Sequence, residues 1–84
     1  MTPLTQTTVN LSLIPPGQRV RVVNIPDEGR ASHRLSHLGI VRGAQITIVQ
    51  DNGSSLLIAV GATRLALARG LAHTIRVALE EEQQ

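Results

Sequence analysis

The chain has 84 residues, a formal charge of +2, no cysteine and no Phe, Trp or Tyr. Such a length holds one domain and leaves no room for a second, and without disulfides or thiolate metal sites an aliphatic core alone must offset the chain entropy. Grooves for proline-rich peptides, stacking platforms for single-stranded nucleic acid and cages for quaternary ammonium groups are excluded, because each needs aromatic faces.

All eight basic residues are arginines, which hardly titrate, so the pI of 11.2 overstates the basicity and nucleic acid is not an expected partner. Glu80, Glu81 and Glu82 bunch at the C-terminus, which makes the body more basic than the whole. No N-terminal apolar segment resembles a signal peptide, and the longest apolar run, residues 56–62, is far short of the roughly 20 residues of a membrane helix. A soluble, cytoplasmic protein is expected, and the lack of cysteine fits that compartment.

Residues 1–8, rich in threonine and without apolar period, read as a flexible start. Asn10 is placed to cap a short turn through Leu11, Leu13 and Ile14, which Pro15, Pro16 and Gly17 end. Residues 18–25 alternate Val20 and Val22 with Arg19 and Arg21, the pattern of a half-buried strand. Over residues 30–38 the period changes: Ala31, Leu35 and Leu38 fall at i, i+4 and i+7, while Arg30, His33, Arg34 and His37 face away. A short amphipathic helix results, capped by Asp27 or by Ser32.

Residues 44–50 alternate around Ile46 and Ile48 and run into Asp51-Asn52-Gly53-Ser54, whose Asn-Gly pair signals a type I′ hairpin back into residues 56–60. Gly61 and Ala62 suit a second tight turn, of type II′, into residues 63–67. One helical turn over residues 69–73 then leads to a last strand over 74–79, with Ile75, Val77 and Leu79 inward and Arg76 outward. The order implies a mainly β fold: a small antiparallel sheet rolled into a partly open barrel, with one short α-helix inserted after the first strand, since rolling protects sheet edges. The expected organisation is a flexible start over residues 1–8, one domain over 9–79 and an acidic disordered tail over 80–84.

Two glycines stand close together in the segment 35–49, LSHLGIVRGAQITIV. Gly39 follows the last apolar helical residue, where a helix commonly ends in the left-handed conformation, and Gly43 sits where a type II turn over residues 41–44 needs positive φ. Ile40 and Val41 are thereby held on a stiff connection, where at least one is expected to lack room inside the barrel and stand out as an aliphatic knob. Leu38, Gly39, Ile40, Val41, Arg42 and Gly43 are the candidate partner-binding corner, with Leu35 and Leu38 read mainly as core. Strand addition at an open barrel edge ranks second as a way to bind.

These residues resemble the FeoA family of small cytosolic accessory proteins of bacterial ferrous-iron transport, whose pattern has a leucine-rich helix ending Leu-Gly, an apolar residue, two more residues and Gly. Here those positions are Leu35, Leu38, Gly39, Ile40 and Gly43. The likeness continues through Pro16-Gly17, the valine strand, the hairpin, Ala66-Leu67, Ala72, Ile75 and Val77. Two departures stand out: Arg42 replaces a proline frequent before the second glycine, and Ala68 stands where an arginine often follows the Ala-Leu pair, with Arg69 next. The resemblance implies an SH3-like barrel that regulates the FeoB-type ferrous-iron transporter by contact with its cytosolic side, and hence a protein peripheral to the membrane only through that partner.

His33 and His37 lie one helical turn apart, the spacing that lets two imidazoles share a divalent ion; His73 or a carboxylate would have to complete the set. A metal-responsive module taking zinc or ferrous iron at His33, His37 and His73 is therefore the alternative function, although no cofactor is required by the main one. A general SH3-like interaction domain and a weak homo-oligomer also fit. Arg19, Arg21, Arg30, Arg34, Arg42 and Arg64 form a basic surface suited to solubility or to an acidic partner. Ser32, His33, Ser36 and His37 share a helix without the acid or phosphate loop that catalysis would need, so no enzyme activity is expected.

Overall fold

The structure is a computed structural model and describes residues 8–26 and 29–80. Its strands are β1 (Val9–Asn10), β2 (Arg19–Asn24), β3 (Gln45–Asp51), β4 (Ser55–Val60), β5 (Thr63–Ala68) and β6 (Arg76–Leu79), with helices α1 (Arg30–His37) and α2 (Arg69–Ala72) and a 3-10 turn at Leu11–Leu13. In β2 and β3 alternation does what the pleat demands: Val20 and Val22 enter the core from β2 while Arg19 and Arg21 stay in solvent, and Ile46 and Ile48 enter it from β3. Among the described residues all pairings are antiparallel, in the order β1-β6-β2-β3-β4-β5, so β1 and β5 are the two open edges of a sheet that is not closed.

Two bulges curl the sheet. Register slips by one residue between Val22 and Asn24 against β6, and between Ile48 and Gln50 against β4, and such insertions bend a strand and raise its twist. The concave face closes on Leu11, Ile14, Val20, Val22, Ile46, Ile48, Leu56, Ile58, Leu67, Ala72, Ile75 and Val77, with Leu35 and Ile40 added from α1 and its exit. No aromatic ring fills the centre; branched aliphatic side chains do, each contributing roughly 1.5–3 kcal/mol by leaving water.

The exit of α1 has the form expected of its leucine and glycine spacing. The amide of Gly39 donates to the Ser36 carbonyl at 3.1 Å, and that of Ile40 to the Leu35 carbonyl at 2.9 Å, the paired bonds of a Schellman motif. Gly39 takes φ +86° there, at no steric cost for a residue without Cβ. The usual apolar contact across such a motif is present as well, since Leu35 and Ile40 are both fully buried. Three residues on, the Ala44 amide reaches the Val41 carbonyl at 3.0 Å with Gly43 at φ +89°, the turn foreseen over residues 41–44. That turn is welded to β2 by Gly43 donating to the Val22 carbonyl and Val22 to that of Ala44.

Several expectations need correction. The N-cap of α1 is Gly29, which has no side chain to offer; Ser32 lies inside the first turn, and Asp27 is outside the described residues. The β3–β4 turn centres on Gly53 and Ser54 rather than on Asn52 and Gly53, with Asn52 donating to the Ser55 carbonyl. Asn52 has no positive φ, as type I′ would require, because the Asp51 carboxylate takes the Gly53 amide at 2.8 Å and holds the chain one residue further round. Leu79 lies on the inward face, paired with Val20, but stands 56% exposed at the end of its strand, while Ala78, paired with Arg21 on the other face, is also buried. Glu80, assigned to the disordered tail, is anchored by its amide to the Arg19 carbonyl, by an ion pair with Arg21 at 2.6 Å and by Gln45 at 2.9 Å. The rest of that tail, 81–84, and residues 1–7 of the expected flexible start lie outside the described residues.

The Asn10 cap is found as expected, its side-chain oxygen accepting from the Ser12 amide, and β4–β5 turns tightly at Gly61 and Ala62. β1, too short to carry a period, was not foreseen as a strand. The helix exit supplies a test by contrast. Ile40→Ala should lower unfolding free energy by about 2–5 kcal/mol and Val41→Ala by no more than about 0.5 kcal/mol, as read from denaturant midpoints at constant slope.

Candidate functional site

The corner after α1 sorts its residues by burial. Ile40 goes into the core and cannot meet a partner, whereas Val41 is 44% exposed at the surface. Leu38 is half-buried, Gly39 and Gly43 are exposed, and Arg42 lays its guanidinium on the Asn24 side-chain oxygen at 3.1 Å. Of the expected aliphatic pair, the knob is therefore Val41 alone.

Leu38 also belongs to a second feature. A groove of about 430 Å³ separates α1 from the edge strand β5, with Arg30, Ala31, Arg34 and Leu38 on the helix side. Residues 65–68 form the other side, and Leu71 of α2 closes one end. The amphipathic pattern of α1 accounts for its shape: Leu35 anchors the helix in the core, Ala31 and Leu38 flank that anchor, and Arg30 and Arg34 extend to the rim. The lining contains arginines and no carboxylate. The described carboxylates Asp51 and Glu80 are engaged elsewhere, by Arg69 and Arg21.

The histidines are not gathered together. His33 and His37 stand on the exposed face of α1, while His73 follows α2, with its Nδ1 3.0 Å from the Ser12 hydroxyl and its carbonyl accepting from Asn10 Nδ2. Among the described residues no three His, Cys, Asp or Glu side chains come together to hold a metal ion.

Arg69 is the residue that reasoning from the sequence missed. From the first position of α2 its guanidinium donates to the Asp51 carboxylate, to the Gly53 carbonyl and, at 2.9 Å, to the Ser12 carbonyl, while its amide donates to the Ser54 carbonyl at 2.9 Å. It thus ties the 3-10 turn, the β3–β4 turn and α2 into one end of the barrel. Arg69, and the Gly53 amide after it, hold the Asp51 carboxyl below its ordinary value of 3.8.

The geometry can be set beside known proteins. A protein-family model described as the FeoA domain matches residues 9–79. The chain belongs to the FeoA family. It is similar to the solved iron uptake regulatory protein (FeoA), at 32% identity and a TM-score of 0.82 over 88% of this chain and 100% of that one. Iron(II) transport protein A from Clostridium thermocellum is similar at 27% identity and a TM-score of 0.80, over 84% of this chain and 45% of that one. The T. acidophilum IdeR shares 18% identity, which shows the fold alone, at a TM-score of 0.82 over 94% of this chain and 37% of its own. Curated protein sequences yield no match.

The FeoA family is associated with ferrous-iron transport, and its SH3-like fold is the partly open barrel described above. Within that fold, Arg69 puts its guanidinium on the turn clamp. Because the clamp lowers the folded-state pKa of Asp51, its contribution to stability is fully present above the ordinary value of 3.8 and is lost as pH falls through the lowered one. Asp51→Asn should be less stable than the parent at neutral pH and converge with it in acid, as followed by urea midpoints across a pH series.

Proposed function

We propose that this FeoA-family chain is a non-enzymatic accessory protein of ferrous-iron uptake that docks, in the cytoplasm, on the cytosolic side of a FeoB-type transporter. The observation that carries this reading is the apolar groove beside α1, a surface of the kind that receives another protein. The names of its solved relatives, in iron uptake regulation and iron(II) transport, point to the same process. No helix among the described residues is long and apolar enough to cross a membrane, which fits attachment through a partner. Docking uses the face that runs from Leu38 in the groove to Val41 on the corner, and needs no metal ion of its own.

The test is capture of the FeoB-type transporter of the same cell, as its soluble domain and in detergent, by the purified protein with and without chelator. Capture should survive chelator and weaken at least about tenfold in Val41→Asp, an exposed position whose change leaves the fold intact. Capture that requires added metal would transfer the function to the His33 and His37 face. No capture under either condition would overturn the docking reading.

A further inference from the structure

The groove runs along an open strand edge. Among the described residues β5 pairs with β4 on one side and with no strand on the other. Val60 and Thr63 close a two-residue hairpin, so alternation directs the amides and carbonyls of Thr63, Leu65 and Leu67 toward β4 and those of Arg64, Ala66 and Ala68 outward. Both faces of this strand line the groove, the leucines from the inner side and the alanines from the outer, so the groove straddles the edge.

Sheet edges in soluble proteins are usually blunted by short length, proline, lysine or a bulge. β1, the opposite edge, has two residues. β5 has six, in unbroken register with β4, and presents small alanines beside its outward backbone groups, which pair with no other strand among the described residues. Above it Arg30 and Arg34 rim the groove, and Arg64 lies exposed on the strand itself.

From this juxtaposition we infer that the groove is a strand-addition site for an extended segment of a partner protein in which apolar side chains alternate with carboxylates. The segment hydrogen-bonds to Arg64 and Ala66, sets its apolar side chains against Leu38, Leu65 and Leu71, and brings its carboxylates to Arg30 and Arg34. A second copy of this chain fits less well, because symmetric pairing would gather the same arginines from both copies about one axis. The inference deepens the docking reading and rests on it for the existence of a partner, but its chemistry is separately testable.

The probe is a capped synthetic peptide of alternating valine and glutamate, about eight residues long, matched to the length of a strand. Titrated into the isotope-labelled full chain, it should slow hydrogen exchange at the Arg64 and Ala66 amides at least about tenfold and leave Leu65, already paired with β4, unchanged. A valine and lysine peptide should not bind. Binding should weaken at least about tenfold in Ala66→Pro, which removes one outward amide, and in the doubly charge-reversed variant Arg30→Glu with Arg34→Glu. Should Ala66→Pro fail to fold, the charge reversal on the exposed helix face carries the test.

Three results would overturn the inference: Arg64 and Ala66 amides already protected without peptide, which means that the edge is covered by this chain or a second copy; peptide binding that leaves those amides fast; or normal binding by the charge-reversed variant. Transporter capture without peptide binding would sink strand addition and leave docking standing. Peptide binding without transporter capture would do the opposite.

Discussion

The structure depends most on the bond from the Ile40 amide to the Leu35 carbonyl. It reverses the chain at the end of α1 while keeping both side chains in the core, so an eight-residue helix with few turns of its own is held to the barrel at one end. A helix this short has little stability in isolation, and tertiary burial must supply it. With Leu35 and Ile40 fixed, the orientation of α1 follows: Arg30 and Arg34 project over β5, Leu38 floors the groove, and Val41 emerges on the corner. The same closure hands the chain to the 41–44 turn, whose bonds to Val22 start β3 in register with β2.

The other end of the barrel is held by polar rather than apolar means. Arg69 binds three carbonyl or carboxylate groups from two separate segments, and Ser12 is both clamped through its carbonyl and satisfied at its hydroxyl by Asn10 and His73. A core without aromatic rings leaves a narrow margin in so small a domain. Tying the 3-10 turn to the β3–β4 turn closes the barrel's end without further apolar volume. The exposure of this cluster limits what each bond contributes, but charge-assisted bonds that share one guanidinium order several loops at once.

What is legible in the sequence follows from how local each signal is. The alternation of Val20 and Val22, the stripe of Ala31, Leu35 and Leu38, and the glycines at 39 and 43 specify their own conformations, and the elements fall within a residue or two of their expected limits. Features set by a distant strand are not legible: β1 exists only because β6 pairs with Val9 and Asn10, and Glu80 is ordered only because Arg19, Arg21 and Gln45 are beside it. The β3–β4 turn departs from its expected form for a related reason. An Asn-Gly pair is a strong local signal, but the Asp51 carboxylate competes for the Gly53 amide, and Arg69 fixes that carboxylate from sixteen residues beyond Gly53. The candidate site was half legible: Leu38 and Val41 lie where the glycine spacing points, whereas the groove needs α1 and β5 to be brought face to face.

The two open edges show how one sheet can be both safe and receptive. At β1 the ladder has only two residues, and the segment before it contributes the Thr8 carbonyl and hydroxyl to Arg76, which occupies polar groups that an incoming strand would use. At β5 the ladder has six residues in unbroken register, and two of its three outward positions, Ala66 and Ala68, carry alanine, features that invite pairing. Protection there comes from charge instead. Arg30, Arg34 and Arg64 disfavour another copy of the same basic edge and favour carboxylates, so in the strand-addition proposal one electrostatic term would both discourage self-pairing and select the partner. Among the described residues the groove lining has no carboxylate, since Asp51 is held by Arg69 and Glu80 by Arg21 elsewhere, so the small net charge of +2 understates how basic this edge is.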